Sequence, residues 1–296
     1  MTQTYSNENL VKLDLWGGTH EYNKLDNTYY LNRHAGLFSN LCVCSYGILT
    51  YIYMGLTPEN ISLTLTEYDD TLDFYTKLFK INHEKINLSD ISDNVFKHTL
   101  RYQEPSHLGL GREKHHINFD IINRVIKTYF SLSDDTKKVY TNILEKYKID
   151  FDNTVFIWAR KTDKVVENDV PSVDTYLKII NDNNLENNKI ILQTDDITVF
   201  NEFNSKISIN ILDELPFSED LKGFHVKLNS VSDTTFYEKY KMSKVEYLQR
   251  LLSLVIIASK CKHVILYPGN LSMVVPMIRG NFDNVYSFFD NENLIK

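Results

Sequence analysis

VFIWARKTDKVVENDVPSVDTYLKII, residues 155–180, is the stretch on which the fold turns. Its apolar start runs straight into Arg160, Lys161, Asp163 and Lys164. A core strand gains nothing from charge at its tip, whereas a phosphate-bearing ligand does. Continuous apolar runs of this length read as strands buried on both faces. The apolar residues of SVDTYLKIINDN (172–183) recur at helical spacing, with Tyr176, Leu177 and Ile180 on one side. KIILQT (189–194) is the next strand, DITVFNEFNSK (196–206) a short helix and SINIL (208–212) a further strand. SKVEYLQRLLSLVIIASKC (243–261) is a long helix, with Ser243 as N-cap and Glu246 completing a capping box. HVILY (263–267) and NLSMVVPMIRG (270–280) repeat the strand-then-helix order. This rhythm specifies a parallel sheet covered on both faces, an α/β fold whose ligands bind at the carboxyl ends of the strands.

Three such ends carry polar groups. After the first, Arg160 is suited to a bidentate bond to a pyrophosphate, with Lys161 and Lys164 adding positive field. Asp163 either orients one of these cations or meets a ligand hydroxyl. The plain alternative is a surface turn with a salt bridge. After the second, Thr194, Asp195 and Asp196 face the same region, and Asp196 also suits the N-cap of the following helix. After the third, Gly269 permits close backbone approach. Asn270 and Ser272 stand beside a helix amino terminus, as an anion site or simply as caps.

The first half reads less clearly. VKLDL (11–15) and ISLTLTEY (61–68) are strands, and HAGLFSNLCVCSYGILTYIYMG (34–55) is a loop entering an apolar helix. Gly36 suits a tight backbone there, with Ser39 and Asn40 as caps and Leu41, Ser45, Ile48 and Leu49 on one face. Residues 101–119 read as a polar loop, and 121–132 as a helix. Residues 133–149 form a second helix capped by Ser133 or Asp134, with Val139, Ile143 and Leu144 as its stripe. Periodicity is weakest near 145–155. This marks a boundary between an amino-terminal domain, 1–148, and a carboxyl-terminal domain, 149–296. Residues 213–233 are a polar insertion suited to binding.

Composition narrows the function. The 296 residues are 43% hydrophobic and carry a formal net charge of −7. Broad nucleic-acid binding is therefore not expected. Cys42, Cys44 and Cys261 make neither a disulfide framework nor a zinc site. The opening MTQTYSNENL lacks a secretory pattern, and no apolar run reaches the roughly 18 residues of a membrane span. Dinucleotide-type Gly-x-Gly-x-x-Gly, the Gly-Lys-Ser/Thr phosphate loop and the Gly-x-Ser-x-Gly elbow are all missing. His115 and His116 complete no metal spacing. The Asp150–Asp152 pair precedes a strand, where a metal pair would follow one. No metal is expected.

WARKTDK (158–164) resembles the His-Val-Arg-Arg-Thr-Asp-Lys motif of fucosyltransferases, with Trp158 for the His and Lys161 for the second Arg. The likeness is to the α-1,6 enzymes of N-glycan cores and to the bacterial enzymes of nodulation-factor synthesis. ILQTDD (191–196) resembles their strand ending in Thr-Asp-Asp. LLSLVIIASKCKHVILYPGNLSMVV (251–275) resembles their helix and serine-bearing strand end, with Gly269 and Asn270 near the usual serine pair. GLFSNL (36–41) is similar to their glycine-rich loop, which brings Gly36 and Asn40 into the nucleotide site.

The resemblance implies a GT-B-like α/β fold of two Rossmann-like domains facing across a cleft. It implies metal-independent, inverting transfer of fucose from GDP-fucose to a glycan acceptor. The donor would lie on the second domain, with Arg160 on the β-phosphate and Asp195, Asp196, Gly269, Asn270 and Ser272 around the nucleotide. Another GDP-hexose as donor, or a noncatalytic nucleotide- or glycan-binding protein on the same fold, are the alternatives. The acceptor hydroxyl needs a general base on the opposite side of the sugar. Glu104 is preferred, with His34, His115 and His116 as the other candidates. Partners are thus a nucleotide sugar and a glycan, without nucleic acid. The expected setting is cytoplasmic, as for a bacterial or viral enzyme, in the host cytoplasm if viral.

Overall fold

In the computed structural model the described residues are 4–6, 8–15, 18–33, 35–65, 73–82, 86, 88, 91–95, 118–161, 171–217, 231–267, 269–290 and 293–295. The first half begins with strands β1 (Thr4–Ser6), β2 (Leu10–Leu15), β3 (Gly18–Asn23) and β4 (Thr28–Arg33). Helix α1 (Leu37–Tyr53) then leads to β5 (Asn60–Leu65). The sheet order is β1-β2-β3-β4-β5. Strands β1 to β4 pair antiparallel, and only β4 and β5 are parallel, across α1. Among the described residues one βαβ unit is therefore present, and the all-parallel sheet of a Rossmann-like first half is not. The physical reason is local. Turn Lys24–Asn27 takes Asn27 into the left-handed region at φ 52° and folds β3 back on β4.

Helix α1 also differs from its sequence reading. It is buried on nearly every side rather than along one stripe. Gly36 is its N-cap, with φ −61°, a conformation open to any residue. Asn40 is no cap. It lies fully buried inside the helix, where its Nδ2 donates to the Ala35 carbonyl at 2.6 Å. Ser39 instead accepts from Arg33 at 2.9 Å, joining the end of β4 to the helix.

Short helix α2 (Phe74–Leu78) runs into β6 (Phe79–Lys80), which pairs with β7 (Ser131–Leu132). Between them lies α3 (Phe119–Tyr129), and after them α4 (Asp134–Tyr147). Ser133 caps α4, accepting from Thr136 N at 3.2 Å. Ile143 is buried and Val139 and Leu144 pack against the core, as their spacing predicts.

The second half alternates as its sequence predicts. Its elements are β8 (Thr154–Ala159), α5 (Val173–Asp182), β9 (Lys189–Thr194), α6 (Ile197–Lys206) and β10 (Asn210–Ile211). There follow α7 (Asp233–Tyr240), α8 (Lys244–Lys260), β11 (His263–Leu266), α9 (Leu271–Arg279), β12 (Val285–Asp290) and β13 (Asn293–Ile295). Ser243 caps α8, but the Glu246 carboxylate turns to Arg250 at 2.7 Å. The capping box is thus half made.

Sheet order is β10-β9-β8-β11-β12-β13, parallel throughout except for β13. Order therefore reverses beside the first strand of the half, between β8 and β11. Val155 and Ile157 of β8 pack with α5 and α6 on one face of the sheet. Phe156 and Trp158 point to the other face, where α8 and α9 lie. That second core is shared with the first half, since Leu41, Ile122 and Val125 belong to the same cluster as Val255, Met273 and Met277. Asn123 of α3 binds the Met277 carbonyl at 3.2 Å, fastening the end of α9.

Candidate functional site

At the reversal, the chain leaves β8 toward one face of the sheet and leaves β11 toward the other. Diverging connections open a crevice beyond the carboxyl ends of adjacent strands. Arg160 is the first residue beyond β8, and its side chain is 19% exposed. Its Nε donates to Asp195 Oδ2 at 2.9 Å. Asp195 is the first residue beyond β9, 17% exposed at its side chain, and its Oδ1 accepts from the Lys161 backbone N–H at 3.3 Å. The carboxylate thus bridges two strand ends and fixes the guanidinium before any ligand arrives. The ring of Tyr267, beyond β11, lies 5.9 Å from the Arg160 guanidinium carbon. Tyr267 is 5% exposed, and its N–H donates to the Trp158 carbonyl at 3.0 Å, extending the β8–β11 pairing by one residue.

The β11–α9 turn is tightly made. Gly269 has φ +158°, and a Cβ there would come within 2.8 Å of the Tyr267 ring. Glycine is needed because backbone is pressed against an aromatic face. Asn270 adopts helical angles and makes no side-chain cap bond, so the capping role open in the sequence is not taken up. Ser272 is fully buried and its hydroxyl donates to the Tyr267 carbonyl at 2.6 Å, which holds the turn closed. The N–H groups of Ser272 and Met273 bond to Gly269 and Asn270 carbonyls at 3.0 and 3.1 Å. This helix end therefore contributes its dipole more than open donors.

Asp196 is the N-cap of α6, accepting from Thr198 N at 2.7 Å and from Thr198 Oγ1 at 2.6 Å. Beneath the site, burial raises the Tyr176 phenol well above its usual range, helped by Tyr267 and Asp195. Asp150 and Asp152 lie before β8, at the opposite end of the strands, where Asp150 accepts from Asp152 N at 3.2 Å. The three cysteines are buried and free, and burial pushes each thiol up to about 12. Thiolate chemistry is thereby disfavoured. Among the described residues no three His, Cys, Asp or Glu side chains gather to hold a metal. No helix among them is long and apolar enough to cross a membrane.

The structure brings together Arg160, Lys161, Asp195 and the Gly269–Asn270 turn. Gly36 and Asn40 belong to the βαβ unit of the first half. His34, Glu104, His115, His116, Asp163 and Lys164 lie outside the described residues. Sequence reading did not single out Tyr267. Its signal was position alone, as the aromatic residue closing an apolar strand ahead of Pro-Gly.

No protein-family model matches this sequence. No curated protein matches it in sequence either. Solved structures do. The NodZ α-1,6-fucosyltransferase co-crystallized with GDP matches at TM-score 0.52 and 11% identity, over 90% of this chain and 96% of that one. NodZ α-1,6-fucosyltransferase soaked with GDP-fucose matches at TM-score 0.50 and 10% identity, over 90% and 97%. Fucosyltransferase NodZ from Bradyrhizobium matches at TM-score 0.50 and 10% identity, over 90% and 96%. Likeness at this identity is one of fold. The chain has an α/β fold similar to that of these NodZ structures.

Proposed function

We propose that this protein is an inverting glycosyltransferase that takes fucose from GDP-fucose to a glycan acceptor without a metal ion. The observation that carries the reading is Arg160, fixed by Asp195 at the point where strand order reverses. In this reading residues 149–296 hold the nucleotide sugar and residues 1–148 face the acceptor. Lys161, Asp163, Lys164, Asp195, Asp196, Gly269, Asn270 and Ser272 surround the nucleotide, with Gly36 across the cleft and buried Asn40 acting only through the Ala35 carbonyl it holds. Ser272 and Asp196 then act through the turn and helix end they build.

The chemistry follows from charge. An acceptor oxygen attacks the anomeric carbon while the bond from that carbon to the β-phosphate oxygen breaks. GDP leaves with the electron pair, and the base takes the acceptor proton. Negative charge grows on the diphosphate, so a preorganised cation there lowers the barrier most. Arg160 supplies it, and the α9 amino terminus adds its dipole. Glu104 is the proposed base.

Calorimetry with GDP, UDP and GTP tests the donor assignment. GDP should bind most tightly, and equal or absent binding of all three overturns it. Incubation with GDP-fucose and a glycan screen, read for released GDP and transferred sugar, separates a transferase from a binder. GDP-mannose run alongside decides between fucose and another hexose. Glu104→Gln should lower turnover and leave GDP affinity nearly intact. An unaltered rate removes Glu104 as the base.

A further inference from the structure

A second concavity lies at the other end of the fold. Helix α8 ends at Lys260, just before β11 begins, and α9 ends at Arg279, just before β12 begins. Both helix ends therefore sit at the amino-terminal ends of the strands, away from Arg160. There a cavity of about 1130 Å³ opens between α3, α4, α8 and α9, with β6 and β7 as one wall. Protein interiors leave few voids larger than a water molecule. Ligand pockets measure roughly 300 to 1,000 Å³ and favour the spaces between helices.

The lining has two characters. Phe130, Leu252, Ile256 and Ile278 form an apolar interior. Lys80, Lys127, Lys137, Lys260 and Arg279 bring five cations, and no carboxylate lines the cavity among the described residues. This contrasts with a chain whose net charge is −7. Some of the cations have structural partners. Lys80 pairs with Asp134 at 2.7 Å, Lys260 donates to the Tyr140 hydroxyl at 2.9 Å, and Arg279 donates to the Cys261 carbonyl at 2.6 Å. Lys127 and Lys137 make no ion pair among the described residues, and both are exposed.

We propose that this cavity binds a single-chain anionic amphiphile, an alkyl chain ended by a carboxylate or a phosphate. The chain would enter among Phe130, Leu252, Ile256 and Ile278, and the headgroup would rest on Lys127 and Lys137. A half-open apolar cavity with a mainly cationic rim suits one alkyl chain and one anionic headgroup, and the commitment rests on that charge complementarity.

Calorimetry below the micellar range tests the proposal on the full chain with decanoate, dodecanoate, dodecyl phosphate and the neutral 1-dodecanol. Affinity should rise about fourfold per added methylene. Dodecanol should bind more weakly than dodecanoate. A preference between dodecanoate and dodecyl phosphate assigns the headgroup. The double variant Lys127→Glu, Lys137→Glu should weaken dodecanoate about tenfold and leave dodecanol unaltered. Its exposed positions leave the fold intact. Ile256→Trp should obstruct the apolar interior and weaken both, and the charge variant decides the matter if this one fails to fold. Equal binding of acid and alcohol, no dependence on chain length, or full affinity in the double variant overturns the proposal. So does capture of an acidic amphipathic peptide at the cavity with no amphiphile bound.

Discussion

Arg160→Ala is expected to weaken GDP binding by roughly ten- to a hundredfold, the loss for one charge-assisted hydrogen-bonded contact. The expectation rests on the diphosphate role proposed for Arg160. Turnover should fall at least as far, because the leaving group carries more charge in the transition state than in the bound donor. Arg160→Lys keeps the charge but loses the planar fork and the 2.9 Å Nε contact to Asp195. It should therefore recover only part of the affinity. Asp195→Asn still offers an oxygen to Nε but no charge, and should weaken turnover more than binding as the guanidinium loosens. Titration of each variant with GDP, beside its rate on GDP-fucose, measures the set. An Arg160→Ala protein that binds GDP as tightly as the parent rules out the diphosphate role.

The largest stability effect is expected at Gly47, in the middle of α1. An added Cβ would stand 2.3 Å from His20 Nδ1 and 2.7 Å from the Tyr29 hydroxyl. These two groups are fully buried and hydrogen-bonded to each other at 2.7 Å. Alanine in a helix interior is ordinarily better than glycine by about 1 kcal/mol. Overpacking costs about 1–3 kcal/mol, and a broken buried hydrogen bond costs a similar amount. The unfavourable terms win, so Gly47→Ala should destabilise by roughly 3 kcal/mol. Gly55 is the comparison. It has φ +79° with nothing within 4 Å of a new Cβ, so Gly55→Ala meets backbone strain alone, about 1 kcal/mol. Urea denaturation of both variants ranks them, and a Gly47→Ala protein as stable as the parent contradicts the packing argument.

The second half was legible because its strands are buried on both faces. TVFIWA and KIILQT carry the apolar runs Val155–Ala159 and Ile190–Leu192, and β9 continues past its run through buried Gln193 and Thr194. Ser172, Ser243 and Asp196 cap their helices because short polar side chains before an apolar periodic run have few other uses. The first half hid its meander. GTHEYN buries His20 and Tyr22, and TYYLNR buries Thr28, Tyr29 and Leu31, a set in which Leu31 is the one aliphatic residue and no apolar alternation stands out. Asn40 misleads for a related reason. As an amide near a helix start it looks like a cap, yet it is buried and bonded backward to Ala35. At the site, Arg160 and Asp195 were each visible as strand-end charges. Their contact was not, because it joins residues 35 positions apart. Ser272 looked like a ligand group, and only the fold shows its hydroxyl directed to the Tyr267 carbonyl.

The core shared by both halves bears on how the protein can be dissected. Severed between 148 and 149, a carboxyl-terminal fragment would lay bare the sides of α8 and α9 that now meet α1, α3 and α4. That fragment would carry Arg160 and Asp195 and still be prone to self-association through a large apolar patch. The amino-terminal piece would keep its sheet but lose the wall against which α1 and α3 are set. Truncation is therefore a poor route to a minimal unit carrying the proposed nucleotide site, however neatly the strand–helix rhythm suggests one.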